Sequence, residues 1–157
     1  SIHIMKDATL INYRSLFESN NYPKNLDFLQ LDLEVLDDTA LKTLLKINKE
    51  LLNDYKFAVV TMEHDIYTGI DNAINTRLKS REILEERGYC CVFEDIIDDP
   101  KAYLSSPDCP YEDWWVHPEL VDMQYINYLQ NKNKNNFKIV KTNFKDIRCF
   151  ITDKIRY

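Results

Sequence analysis

Apolar and polar positions divide the chain into segments of strand and helix length. Two runs, Leu26–Leu33 and Lys56–Thr61, are apolar at most positions, which is typical of strands with both faces covered. Between them, Asp37–Thr39 can cap a helix whose leucines recur at helical spacing from Leu41 to Leu52. A helical crossover of this length joins parallel neighbours. The pattern therefore predicts two adjacent parallel strands joined by a helix.

The rest of the chain continues the alternation of helices and strands. Helices are predicted over Thr9–Ser19 and Thr76–Arg87, the second after a polar loop, Asp65–Asn75, and strand three over Tyr89–Ile97. A Pro-containing loop (98–113) precedes a helix from Pro118 to about Gln130, an Asn/Lys-rich turn (131–136), and two short strands, Phe137–Val140 and Ile147–Thr152, as an antiparallel edge element. The prediction is an α/β, Rossmann-like domain with a mostly parallel sheet flanked by helices.

Composition narrows the class of protein. With 157 residues the chain has the size of one domain, and residues 1–6 are expected to be an extended start. The net charge of −6 argues against binding to nucleic acid or to an anionic membrane, and we expect a cytoplasmic protein with reduced cysteines. The two glycines, Gly69 and Gly88, are too far apart for a glycine-rich phosphate-binding turn.

Acidic residues follow both parallel strands. Asp32 and Glu34 end the first strand, and Glu63, His64 and Asp65 end the second. Ligands of open α/β sheets bind at the carboxyl ends of the strands, so we expect these side chains to line one cleft. Asp32, Glu34 and His64 are candidate catalytic residues, and together with Asp65 they are candidate ligands of a divalent metal. The alternation of side chains turns His64 away from Glu63 and Asp65 unless the strand has already ended.

A second cluster combines acids, tryptophans and a histidine in Glu112–His117. Trp114 and Trp115 could stack on a sugar or planar group, and with Glu63 and His117 they are candidate substrate-binding residues. The alternative is that the tryptophans belong to the core. The basic residues of the third predicted helix, including Arg77 and Arg81, are interpreted as its solvated face.

These segments resemble the carboxyl-terminal half of FkbM-like S-adenosylmethionine-dependent methyltransferases. The resemblance extends over roughly residues 9–122 and is carried by Leu26–Glu34, Tyr55–Asp65, Ser80–Leu84 with Gly88-Tyr89, and Tyr111–Pro118. It implies a Rossmann-like fold, truncated relative to the full methyltransferase, and a hydroxyl of a sugar or small metabolite as acceptor. It also implies that Asp32 and Glu34 lie near the meeting point of donor and acceptor.

The same resemblance implies a missing part. In that family the donor S-adenosylmethionine is held mainly by the amino-terminal half, through a glycine-containing turn that no position here matches. A reduced methyltransferase, or one half of an assembly whose partner chain or second copy supplies the donor site, is the first hypothesis. The alternatives are a metal-dependent glycan or nucleotide-sugar enzyme, suggested by Asp32-Leu33-Glu34, and a non-catalytic binding or assembly module.

Overall fold

The computed structural model describes residues 7–99 and 108–141. Within these residues, four strands and four α-helices follow one another. Their bounds are α1 (Tyr13–Ser19), β1 (Asn25–Leu31), α2 (Thr39–Glu50), β2 (Lys56–Glu63), α3 (Asp71–Glu86), β3 (Cys90–Ile96), β4 (Glu112–Val116) and α4 (Met123–Asn133), with a short 3₁₀ turn at Ile66–Thr68 between β2 and α3.

The strands form one mixed sheet in the order β1-β2-β4-β3. β1 and β2 are parallel, with Leu31 opposite Met62, which confirms the predicted pair and its helical crossover. β4 runs antiparallel to both of its neighbours, so β3 points in the same direction as β1 and β2. The carboxyl ends of three strands and the start of the fourth therefore lie at one edge of the sheet, which we call the carboxyl edge.

Helices cover both faces of this sheet. On one face, α2 and α3 pack through residues such as Leu44 and Leu84 against Val60 and Met62 of β2. On the other face, α4 packs through Ile126 and Leu129 against a second apolar cluster that includes Trp114. Burial of large apolar side chains on both sides explains why β2 and β4 are almost continuously buried.

Of the element boundaries, the starts of the third and fourth helices differ most from the sequence prediction. The third helix begins at Asp71, five residues before the predicted start at Thr76, because the polar segment that reads as a loop forms its first, solvent-facing turns. The fourth helix begins at Met123, after a turn that contains Pro118, and Asp122 caps it by accepting a hydrogen bond from the amide of Gln124 at 3.1 Å.

The antiparallel strand β4 was not predicted. The sequence predicts an antiparallel element at the edge near the chain's end, whereas β4 is central and is formed by Glu112–Val116, at the end of the segment read as a loop. Within the predicted strand Phe137–Val140, Val140 makes one isolated parallel bridge, to Ile97. The prediction at Ile147–Thr152 falls outside the described residues. None of the described helices combines the length and apolar character that a bilayer crossing requires.

Candidate functional site

Three carboxyl groups converge at the carboxyl edge. Asp32 follows β1, Glu63 ends β2, and Asp65 stands in the turn after β2; we call these three residues the acidic cluster. The carboxyls of Asp32 and Asp65 lie close enough to the Glu63 carboxyl to raise its pKa. Because Leu31 pairs with Met62, Asp32 and Glu63 are the next residues of parallel neighbours and project to the same face.

The acidic cluster is not paired with a cation in the part of the chain that the structure describes. No lysine, arginine or histidine there forms an ion pair with Asp32, Glu63 or Asp65. The pKa of Glu63 is raised to about 10. Partial burial is the largest cause, and the neighbouring Asp32 and Asp65 carboxyls raise the pKa further. The cluster therefore retains a proton at neutral pH, a state that a bound cation or hydroxyl donor would change.

The backbone brings Asp65 into this cluster by an abrupt turn. Asp65 has a positive φ of 51°, a left-handed conformation that Asp tolerates better than most residues. The amides of His64 and Asp65 both donate to the carbonyl of Tyr111, at 2.7 and 3.1 Å, which fixes the turn against the segment that leads into β4. The strand thus ends at Glu63, and the next acid returns to the same site.

Two tyrosines and a glutamate border the acidic cluster. Glu112 is opposite Glu63 in the sheet, is 3% exposed, and accepts a hydrogen bond from the indole of Trp114 at 2.7 Å. Burial raises the pKa of the Tyr67 and Tyr111 phenols. The pKa of Tyr67 is raised further by the nearby Asp65, and that of Tyr111 by the nearby Glu112. The surrounding charge is thus mainly negative, and Lys141, whose Nζ lies 5.7 Å from the centre of the Tyr111 ring, adds one positive charge near Glu112.

Glu34 has a local structural role at the start of α2. Its Oε1 accepts the amide proton of Leu36 at 2.9 Å, and its carbonyl accepts from the amide of Ala40. The side chain is exposed, and its charge contributes to the raised pKa of Tyr67. Glu34 therefore lies beside the acidic cluster, while its carboxylate is engaged in the turn that precedes the helix.

His64 belongs to a different group of side chains. It is fully buried, and its Nε2 lies 3.1 Å from Asp113 Oδ1 and 3.3 Å from Asp95 Oδ1. Arg81 donates from Nε to Asp113 at 2.8 Å, and Arg77 donates through two nitrogens to Asp95 at 2.9 and 2.6 Å. We call these five residues the paired cluster. Sequence alternation sends His64 to the α3 face, so the structure does not join it to Asp32 and Asp65.

Hydrogen bonds determine the protonation of the paired cluster. The amide of Ile66 donates to His64 Nδ1 at 3.2 Å, which places the proton of a neutral ring on Nε2, facing the carboxylates. Burial lowers the pKa of His64, but the hydrogen bonds with Asp113 and Asp95 outweigh it and raise the pKa. Burial likewise opposes ionisation of the two aspartates, and their bonds to His64 and the arginines hold their pKa values below the usual range.

Part of the paired cluster has the spacing of a metal site. One ligand atom from each of His64, Asp95 and Asp113 lies within 4.8 Å of the others, close enough for the three to hold a metal ion. Both carboxylates, however, already bond to guanidinium groups. Among the described residues, Asp32, Glu63 and Asp65 do not bring three ligand atoms this close together, so the acidic cluster lacks the spacing of a preformed metal site.

The structure places the remaining predicted site residues away from both clusters or inside the core. Trp114 and Trp115 are 1% and 0% exposed, so neither ring presents a face to a ligand, as the core alternative describes. His117 follows the far end of β4, where its ring packs edge-on against Tyr89 with centroids 4.9 Å apart. Its amide donates to Ala58, near the amino end of β2, so it lies at the opposite edge of the sheet.

Sequence reasoning missed the partners of His64. Arg77 and Arg81 were assigned to a solvated helix face, but their side chains are 32% and 18% exposed and point to β3 and β4. They are four residues apart, which puts both on one face of α3. Asp95 within an apolar strand was the available signal, because an acid there is costly unless it is paired.

Comparison with known proteins does not identify a relative. No protein-family model matches the chain, and no match of significance was found among curated proteins or solved structures. The resemblance to FkbM-like methyltransferases therefore stays a prediction.

Proposed function

We propose that this chain is the acceptor-side part of a methyltransferase-like protein, with the acidic cluster at its active site. The reaction would transfer a methyl group to a hydroxyl of a sugar or small metabolite, with S-adenosylmethionine as donor. The chain would contribute the acceptor site, and a partner chain or second copy would contribute the donor-binding part.

The strand order is the observation that carries this proposal. β4 runs antiparallel between β2 and β3, which point in the same direction as β1. Mixed sheets with one antiparallel strand among parallel ones are common in α/β proteins. The carboxyl edge of such a sheet is also where its ligands bind.

The open edge of β1 supports a divided donor site. Among the described strands, β1 has a neighbour only on the β2 side, so its other edge can accept a strand from elsewhere. A groove of about 500 Å³ follows this edge and includes Leu29, Leu31, Asp32 and Thr43 in its lining. A donor-binding part that extended the sheet here would carry its own strand ends close to Asp32.

The acidic cluster has the chemistry to orient an acceptor. Its carboxylates can accept hydrogen bonds from the acceptor's hydroxyl, and Asp32 is exposed to a ligand that approaches from the cleft. If a divalent cation binds to Asp32, Glu63 and Asp65, it would lower the pKa of a coordinated hydroxyl and so ease removal of its proton. A carboxylate of the cluster could receive that proton.

Calorimetric titration with S-adenosylmethionine tests this proposal when it is done with and without a candidate donor-binding protein. We expect no heat from the chain alone, binding when the partner is added, and loss of methyl transfer in Asp32→Asn. Asp27→Asn, an exposed acid at the opposite end of β1, is the matched control and should retain transfer. Equal transfer by Asp32→Asn and the wild type would contradict the assignment of the acidic cluster.

The uncompensated charge of the acidic cluster favours a second candidate, a metal-dependent enzyme of nucleotide sugars. Such enzymes use carboxylates to hold a cation that binds a diphosphate. The partners of Asp32 would then be Glu63 and Asp65 rather than Glu34, because the Glu34 carboxylate accepts the Leu36 amide. Thermal shift with Mn²⁺ and a panel of nucleotide sugars distinguishes the two, since only this candidate predicts stabilisation that requires both ligands.

A further inference from the structure

The guanidinium of Arg81 contacts the same two oxygens as the imidazole of His64. Arg81 Nη2 lies 3.0 Å from Asp113 Oδ1 and 3.1 Å from Asp95 Oδ1. These are the oxygens that lie 3.1 and 3.3 Å from His64 Nε2. A metal ion bound by His64, Asp95 and Asp113 would need to be close to the same oxygens.

We propose that Arg81 takes the place of a metal ion in the paired cluster and closes it to metals in the native protein. The cluster then acts as a positioning device, in which a built-in cation holds the ends of β2, β3 and β4 together. This goes beyond the proposed function, because it assigns a role to buried residues that do not contact the acceptor.

Charge balance supports this role for Arg81. Two carboxylates, Asp95 and Asp113, meet two guanidinium groups, so the partly buried cluster is neutral when His64 is neutral; the exposed Glu94 carboxylate lies farther from Arg81, at 3.9 Å. A divalent ion added to the intact cluster would bring excess positive charge into a buried site, which is costly. It would also require Nε2 of His64 to lose the proton that faces the carboxylates.

The connection to the carboxyl edge follows from the chain itself. His64 stands between Glu63 and Asp65, and Asp113 follows Glu112. Successive residues of β4 point to opposite faces, so a bond that fixes Asp113 on the α3 face also fixes Glu112 on the other. The backbone amide of Asp95 donates to Asp113 at 2.9 Å, which adds the end of β3 to the same arrangement.

The experiment measures the imidazole nitrogens of His64 by nitrogen NMR during titration with Zn²⁺. His64→Gln assigns the ring signals. We expect Zn²⁺ in molar excess to leave the His64 ring unchanged in the wild type and to shift Nε2 in Arg81→Ala, where the cation has been removed. Arg77→Ala is the matched control: it takes one guanidinium from Asp95 but leaves Arg81 in place, so it should behave like the wild type.

Two results would overturn the proposal. A shift of His64 Nε2 in the wild type would show that zinc displaces the arginine and that the cluster is a metal site. A folded Arg81→Ala variant with an unchanged ring would show that the guanidinium does not close the site. If Arg81→Ala does not fold, Arg81→Gln, which keeps part of the apolar stem, takes its place, and the wild-type measurement remains decisive in either case. The readout is His64 and not methyl transfer, so its outcome is independent of the proposed function.

Discussion

The acidic cluster and the paired cluster lie at the same edge of the sheet and differ in their balance of charge. In the paired cluster, two carboxylates are held by two arginines, and the pKa values of the carboxyls are low. In the acidic cluster, three carboxyls have no ion-pair partner among the described residues, and the pKa of Glu63 is high. Neighbouring residues of one strand, Glu63 and His64, thus belong to opposite electrostatic environments.

This difference favours different roles for the two sets of acids. A buried carboxylate that is fully hydrogen-bonded stabilises the fold, and its removal leaves its partners uncompensated. Carboxyls that repel one another destabilise the free protein, and they gain most when a ligand supplies the missing charge or proton donor. The comparison therefore favours a structural role for the paired cluster, and ligand binding at the acidic cluster stays a proposal.

The largest expected effect is on stability when the paired cluster loses an acid. Asp113→Ala leaves Arg81 and His64 without their fully buried partner, and we expect the free energy of unfolding to fall by about 3–5 kcal/mol. Glu63→Gln replaces a carboxyl that is protonated at neutral pH with a neutral amide of similar size, and it is expected not to destabilise the protein. Urea denaturation of both variants measures the difference. Similar losses in both would contradict the division between the two clusters.

The second expected effect is an opposite dependence of stability on pH. The pKa of Glu63 is raised on folding, so its favourable contribution is complete below its unfolded pKa and is lost as pH rises toward about 10. The pKa values of Asp95 and Asp113 are lowered on folding. Their favourable contribution to stability is therefore present above a pH of about 4 and is lost in acid.

Unfolding curves across pH measure these two slopes. Glu63→Gln should flatten the decline in stability between about pH 4.5 and about pH 10, which for one proton cannot exceed about 1.4 kcal/mol per pH unit and will be smaller because solvent screens the half-buried site. The acid-side loss should be unchanged in this variant. A decline over this range that is as steep in Glu63→Gln as in the wild type would exclude Glu63 as its origin.

The smallest expected effect is the release of a proton when Mn²⁺ binds to the acidic cluster. A cation at Asp32, Glu63 and Asp65 would ionise Glu63, so about one proton per ion should leave at neutral pH. Calorimetry in two buffers of different ionisation enthalpy measures this number. Glu63→Gln cannot release that proton, so the measured heat should then be equal in both buffers after correction for dilution.

The parallel pair of strands was predictable because its signal is local. Apolar runs bounded by a capped helix specify β1, α2 and β2, and the rule for ligands at strand ends brings Asp32, Glu63 and Asp65 together. β4 was not predicted. Its five residues follow a Pro-containing segment, and they form a strand because they pair with β2 and β3, which are distant in sequence.

The separation of His64 from the acids was partly predictable. Strand alternation already allowed that it faces away from Glu63, but its partners come from α3, β3 and β4, and no local pattern connects those elements. The arginines of α3 were misread because amphipathic spacing identifies a polar face without showing whether water or a buried carboxylate covers it.

The backbone at Asp95 restricts which amino acids can occupy that position. Its φ is +53°, and the pairing of β3 with β4 is irregular on both sides of Phe93, so the chain is twisted there. Glycine, asparagine and aspartate are the residues that tolerate such a conformation, and only aspartate among them also carries a charge for the arginines. Few amino acids can therefore replace Asp95. A replacement must tolerate the left-handed backbone conformation and must also carry a negative charge for the arginines.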